Sequence, residues 1–159
     1  MAIAFFSTWT THGTWLPGDV RGWYRRGHGL QEPDAPRRLE AMLMMTTAAI
    51  ILDAGQRQLV ESTIAEHCTK RGWLLHSVAC RSNHAHVVVS APNRNIEVPR
   101  EQFKSWCTRR LKDQALARQR DVRDHWWTDR GWDEYIDGED VLSIVNAYVR
   151  EGQDWHPEP

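Results

Sequence analysis

The stretch Ser82-Asn83-His84-Ala85-His86-Val87-Val88-Val89-Ser90 decides how the chain is read. Its β-branched run predicts a strand over His84 to Ser90. Trp73 to Ala79 reads as a second strand, and Arg81-Ser82-Asn83 as the turn between them, which makes a hairpin. In a strand, residues i and i+2 share a face. The His84 and His86 rings therefore project side by side, with Ala85 on the opposite face. Neighbouring neutral imidazoles are good metal ligands. Two solvated histidines on a half-exposed strand would read the same way, so the rest of the chain has to decide.

Outward from the hairpin, the elements fall in a recognisable order. Ala2 to Thr10 reads as a first strand. Residues 11–38 form a loop-rich insertion carrying Gly13, Pro17, Gly18, Gly22, Gly27, Gly29, Pro33 and Pro36, which no long element can cross. Glu40 to Met45 reads as a short helix. Asp53 opens a clearer helix with Val60, Ile64 and Cys68 on one stripe, closed by Gly72 after Lys70 and Arg71. Pro99 suits the first turn of a helix that runs to about Ala117. Its inward residues are Phe103, Trp106, Cys107 and Leu111, which puts Lys104, Arg109 and Lys112 outside. Trp126 to Thr128 and Glu134 to Ile136 read as short strands. The last helix spans about Glu139 to Gly152, with Val141, Leu142, Ile144, Val145 and Val149 as its apolar stripe. The order strand, helix, hairpin, helix, strand, helix predicts an α+β fold. It is a ferredoxin-like antiparallel sheet with helices on one face and one additional C-terminal helix. Residues 1–159 read as one domain, with 154–159 as a tail.

Composition narrows the function classes. The 159 residues are 41% apolar and 26% charged, as in a soluble globular protein. No apolar run is long enough for a membrane span, and the N-terminus lacks the pattern of a signal peptide. Cys68, Cys80 and Cys107 contain no Cys-x-x-Cys pair and predict free buried thiols in the cytoplasm. The net charge is −1, yet the charge is unevenly spread. Residues 98–123 carry eight Lys/Arg against three acids, and residues 124–159 carry ten acids against two Arg. A basic segment can be a phosphate-binding face or a solvated helix face. The nine tryptophans also exceed ordinary usage. Indoles pack cores, and they also stack on unpaired bases. Trp15, Trp23, Trp126, Trp127 and Trp132 are candidates for either role.

A two-histidine site needs a further ligand. The last helix offers Tyr148 and Glu151, three residues apart and on one face, with Gln153 just beyond. Mixed N/O donor sets suit Mg²⁺ or Mn²⁺ when phosphate is the other ligand. A phenol, with a pKa near ~10, is a weak nucleophile at neutral pH until charge on the attacked phosphate is neutralised. Tyr148 also follows Val145 by three and Ile144 by four, so it fits the buried stripe equally well.

Five segments together carry a family resemblance. Asn83-His84-Ala85-His86-Val87-Val88-Val89 resembles the histidine-hydrophobic-histidine strand of the single-tyrosine HUH transposases. Phe103-Lys104-Ser105-Trp106 with Arg109-Arg110-Leu111 looks like their Lys-Ser helix. Trp127-Thr128-Asp129-Arg130-Gly131 with Tyr135-Ile136 looks like the strand pair before their tyrosine helix, and Tyr148-Val149-Arg150-Glu151-Gly152-Gln153 resembles that helix. Trp9 to Asp19 with Arg21-Gly22-Trp23 resembles the subgroup near REP-associated tyrosine transposases.

The resemblance implies metal-dependent cleavage and strand transfer of single-stranded, hairpin-flanked DNA through a 5′-phosphotyrosine, without ATP or a membrane. It implies Tyr148 as nucleophile, His84 and His86 as ligands of Mg²⁺ or Mn²⁺, and Gln153 or Glu151 as third ligand. The usual ligand spacing of four from the tyrosine falls on Gly152. Lys104, Arg109 and Arg110, with Arg21, Arg25 and Trp23, are implied DNA contacts. Both monomers and homodimers occur in the family. The competing readings are a non-catalytic single-strand-binding module on the same sheet and a zinc protein using a thiol such as Cys80.

Overall fold

Four strands, β1 (Ala4–Thr10), β4 (Leu74–Cys80), β5 (His84–Ser90) and β6 (Trp132–Ile136), form one sheet in the order β4-β5-β1-β6. The computed structural model describes residues 2–25, 27–45, 48–120 and 122–151. All three pairings in that sheet are antiparallel. With helices α2 (Ala54–Arg71) and α3 (Glu97–Ala117) as the crossovers, this is the ferredoxin-like arrangement expected from the order of elements. The predicted tail, 154–159, lies outside the described residues.

The helix starts follow local chemistry. Asp53 caps α2 by accepting from the Gln56 N–H, while the Gln56 side chain accepts from the Asp53 N–H. Gly72 ends the helix at φ 69°, a left-handed conformation that glycine adopts without a Cβ penalty. An earlier helix, α1, spans Ala35–Met44 and so begins five residues before the expected Glu40. Asp34 caps it, and Pro36 lies in the first turn, where no N–H is needed. The insertion also holds a short hairpin, β2 (Trp23–Arg25) with β3 (Gly29–Gln31).

Alternation along β5 separates two cores. Ala85, Val87 and Val89 pack with Phe5, Trp9, Ile64, Phe103, Cys107 and Leu111 beneath α2 and α3. Val88 lies on the other face with Ala4, Ala79 and Ile136, covered by Leu142 and Val149 of α4 (Glu139–Glu151). The sheet is thus covered by α2 and α3 on one side and by α4 on the other. All three cysteines are free and buried. No helix among the described residues is long and apolar enough to cross a membrane.

Candidate active site

His84 and His86 stand on the α4 face of the sheet, and both are buried rather than solvated, at 6% and 4% exposure. Their ring centroids are 4.6 Å apart. β5 is an interior strand, paired to β1 and β4 along its length, so its backbone cannot shift without breaking two ladders. The turn leading into it is also tied down. Thr11 and Leu52 donate backbone N–H bonds to the Asn83 and Ser82 carbonyls, at 2.8 and 2.7 Å. Asn83 Oδ1 lies 2.7 Å from His84 Nδ1. An amide oxygen only accepts, so this contact suits the tautomer with the proton on Nδ1, in which Nε2 is the nitrogen able to coordinate. Such a partner orients an imidazole for coordination.

Tyr148 reaches the same place from α4. Its ring centroid is 5.6 Å from that of His86. Phe6 of β1 stacks on His86 at 5.4 Å and meets Tyr148 edge-on at 6.5 Å. Leu142 and Val149 bury the helix, Val145 packs beside them, and Ser77 donates to Asn146 Oδ1 at 2.7 Å. That arrangement divides the predicted apolar stripe. Val141 and Ile144 are exposed, and Tyr148, at 36% exposure, lies with them rather than in the core. The helix buries its i, i+3, i+7 row at Leu142, Val145 and Val149, and the parallel row carries Tyr148 along the edge of the site.

The donor chemistry fits two ligands of a mixed N/O metal site. Among the described residues no third His, Cys, Asp or Glu joins the pair. Glu151 is exposed at the end of α4, and Gln153 lies outside the described residues. Cys80 belongs to the core on the α2/α3 side, away from the histidines, and burial pushes its thiol up to about 12.

The expected DNA contacts are not gathered here. Lys104 is not on the outer side of α3. It is 8% exposed, and its ammonium donates to the carbonyls of Thr128 at 3.0 Å and Arg130 at 2.6 Å. Burial lowers its pKa, and the carbonyls supply the partners that solvent would otherwise give. Arg109 is exposed over the Trp106 ring, and Arg110 pairs with Glu66 at 3.0 Å. Both belong to α3, on the sheet face opposite the histidines. Trp23 is buried, with its indole N–H bonded to the Glu32 carbonyl and Arg37 stacked on its ring. Arg21 donates to Asp19 and to the Thr14 carbonyl and covers Trp15. These residues bind the insertion together. Arg25 is exposed on its hairpin.

Phe6 was missed as a site residue. The signal was the alternation of β1, which puts Phe6, Thr8 and Thr10 opposite Val88, His86 and His84.

Residues 40–152 match the family described as "Transposase IS200 like". The chain belongs to the IS200-like transposase family. Two solved structures share its fold. The structure of the REP-associated tyrosine transposase bound to a REP hairpin is 12% identical with a TM-score of 0.57, covering 99% of this chain and 70% of that one. A putative transposase from Deinococcus radiodurans R1 is 12% identical with a TM-score of 0.53, covering 94% and 90%. No curated protein matches the sequence. Membership in the IS200-like transposases makes DNA transposition the function class of the chain.

Proposed function

We propose that this IS200-like transposase cleaves and rejoins single-stranded DNA, with Tyr148 as nucleophile and His84 and His86 as metal ligands. The observation that carries the reading is the contact of Tyr148 with His86, whose imidazole in turn meets that of His84 on one sheet face. The Tyr148 oxygen attacks the scissile phosphorus in line and gives up its proton. The bond from phosphorus to the 3′ oxygen breaks, and that oxygen leaves as a hydroxyl. The 5′ end stays esterified to Tyr148, so attack by another 3′-OH rejoins DNA without ATP.

A bound Mg²⁺ or Mn²⁺ would neutralise charge on the phosphate oxygens. His84 and His86 would hold it, completed by Gln153 or Glu151. Phe6 holds His86 in place by stacking. Because a fold relative was solved with a REP hairpin, hairpin DNA from the flanks of the gene is the substrate to test.

The test is a denaturing gel for a covalent protein–DNA adduct, with either metal added. Wild-type protein forms the adduct, EDTA and His84→Ala suppress it, and Tyr148→Phe abolishes it. An undiminished adduct in Tyr148→Phe overturns the nucleophile assignment. Salt-sensitive binding with no adduct under any condition supports the non-catalytic module instead.

A further inference from the structure

We propose that Trp132 is a stacking platform for one unpaired base of the bound strand, beside the histidine–tyrosine site. The inference rests on the single-strand reading above and adds a subsite to it. The described tryptophans separate by environment. Trp9, Trp23, Trp73, Trp126 and Trp127 are buried. Arg21 covers Trp15, while Arg109 and Lys70 flank Trp106. Trp132 is 55% exposed, and among the described residues no cation or ring covers its face.

Its position links it to the chemistry. Trp132 pairs with Thr8, and Thr8 pairs with His86. All three side chains therefore point to one face, and two strand spacings put Trp132 about 10 Å from His86. α4 packs on β4 and β5 and leaves the Trp132 end of β6 open. Hydroxyls border the span between them. Thr8 lies in the middle, and Thr10 and Thr128 meet at 2.6 Å at its edge.

The mount is rigid. Lys104 holds the carbonyls of Thr128 and Arg130 just before the strand. Asp133 accepts from Ser7 at 2.7 Å and is paired with Arg100 on the far face. The indole N–H donates to Glu134 Oε1 at 2.8 Å. Its one polar atom is thereby satisfied within the protein, which leaves the ring face for contact. A satisfied edge and an open face suit stacking on a base rather than hydrogen-bonded readout of one. Stacking is tolerant of sequence, so the subsite would register a base without selecting among the four.

The experiment is an anisotropy titration with the flanking-hairpin oligonucleotide, one abasic site being placed in turn at each position of its single-stranded foot. In wild-type protein one abasic position weakens binding about tenfold. Trp132→Leu weakens binding to the intact probe by the same factor and is indifferent to that abasic position, while Trp132→Phe retains most of both effects. The proposal falls if Trp132→Leu binds the intact probe as tightly as wild type. It also falls if the variant keeps every abasic penalty, or if its loss tracks a change in oligomeric mass, which would make the indole a protein contact. If wild-type protein binds no hairpin DNA, the functional reading fails and takes the subsite with it. An adduct-forming wild type with an indifferent Trp132→Leu removes the subsite alone.

Discussion

Replacing Lys104 with methionine tests whether a buried cation holds the segment that leads into β6. The substitution keeps most of the aliphatic stem and deletes the ammonium, which donates at 3.0 and 2.6 Å to two carbonyls. Hydrogen bonds from a charged donor contribute about 1.5–3 kcal/mol each. Two offsets reduce that sum. Removing a buried ammonium recovers its desolvation, which is the same burial that lowers its pKa. The freed carbonyls also belong to half-buried Thr128 and exposed Arg130, so water can reach them. A net loss of about 2 kcal/mol follows from these terms, and a chain of this size then melts about 4–8 °C lower. Thermal unfolding followed by circular dichroism measures it. A phosphate-contacting lysine behaves differently, leaving the melting temperature alone and reducing the slope of log K against log salt by about 0.7. A Lys104→Met protein that melts within 1 °C of wild type and shows that smaller salt slope refutes the internal-tether reasoning.

Other expectations follow from tight or charged places in the fold. A Cβ at Gly131 would lie 2.5 Å from the Thr8 carbonyl oxygen and 2.7 Å from Arg100 Cδ. Gly131→Ala should therefore destabilise by about 1–3 kcal/mol in urea unfolding, the range for overpacking, and an unchanged midpoint would contradict the close approach. Burial pushes the Asp19 carboxyl up, but hydrogen bonds from Arg21 outweigh it and hold the group below its ordinary 3.8. A depressed carboxylate contributes stability that is present above that value and lost as pH falls through the folded one. Asp19→Asn should thus melt lower than wild type at pH 7, with the gap closing below pH 3.8. A gap that persists at the acid end would assign the effect to packing instead.

What was legible in the sequence was local. Asp53, Gln56 and Gly72 bound a helix because capping and left-handed termination depend on a few adjacent residues. The α1 start was hidden by Pro33 and Pro36, which read as breakers although a first turn accommodates proline. The apolar stripe Phe103, Trp106, Cys107 and Leu111 puts Lys104 outside, yet it sits three residues before Cys107 and seven before Leu111, on the row that faces the sheet. The carbonyls of Thr128 and Arg130, with Glu101 3.9 Å away on the same helix, make that inward position tolerable, and a partner more than twenty residues away leaves no mark on helical periodicity. The His84–His86 face was legible from alternation alone. Its depth was not, because burial depends on α4 crossing the sheet.

The placement of β5 has a kinetic consequence. Amides of an interior strand paired on both sides exchange with solvent only through the largest openings of a fold, whereas a helix laid across a sheet can lift by itself. The histidines therefore belong to the slowest-exchanging part of the protein, and Tyr148 to a layer that can detach while the imidazole pair stays intact. Deuterium uptake over 84–90 should lag behind that over 139–151. The two halves of the site would then be lost at different rates on heating, the tyrosine before the histidines.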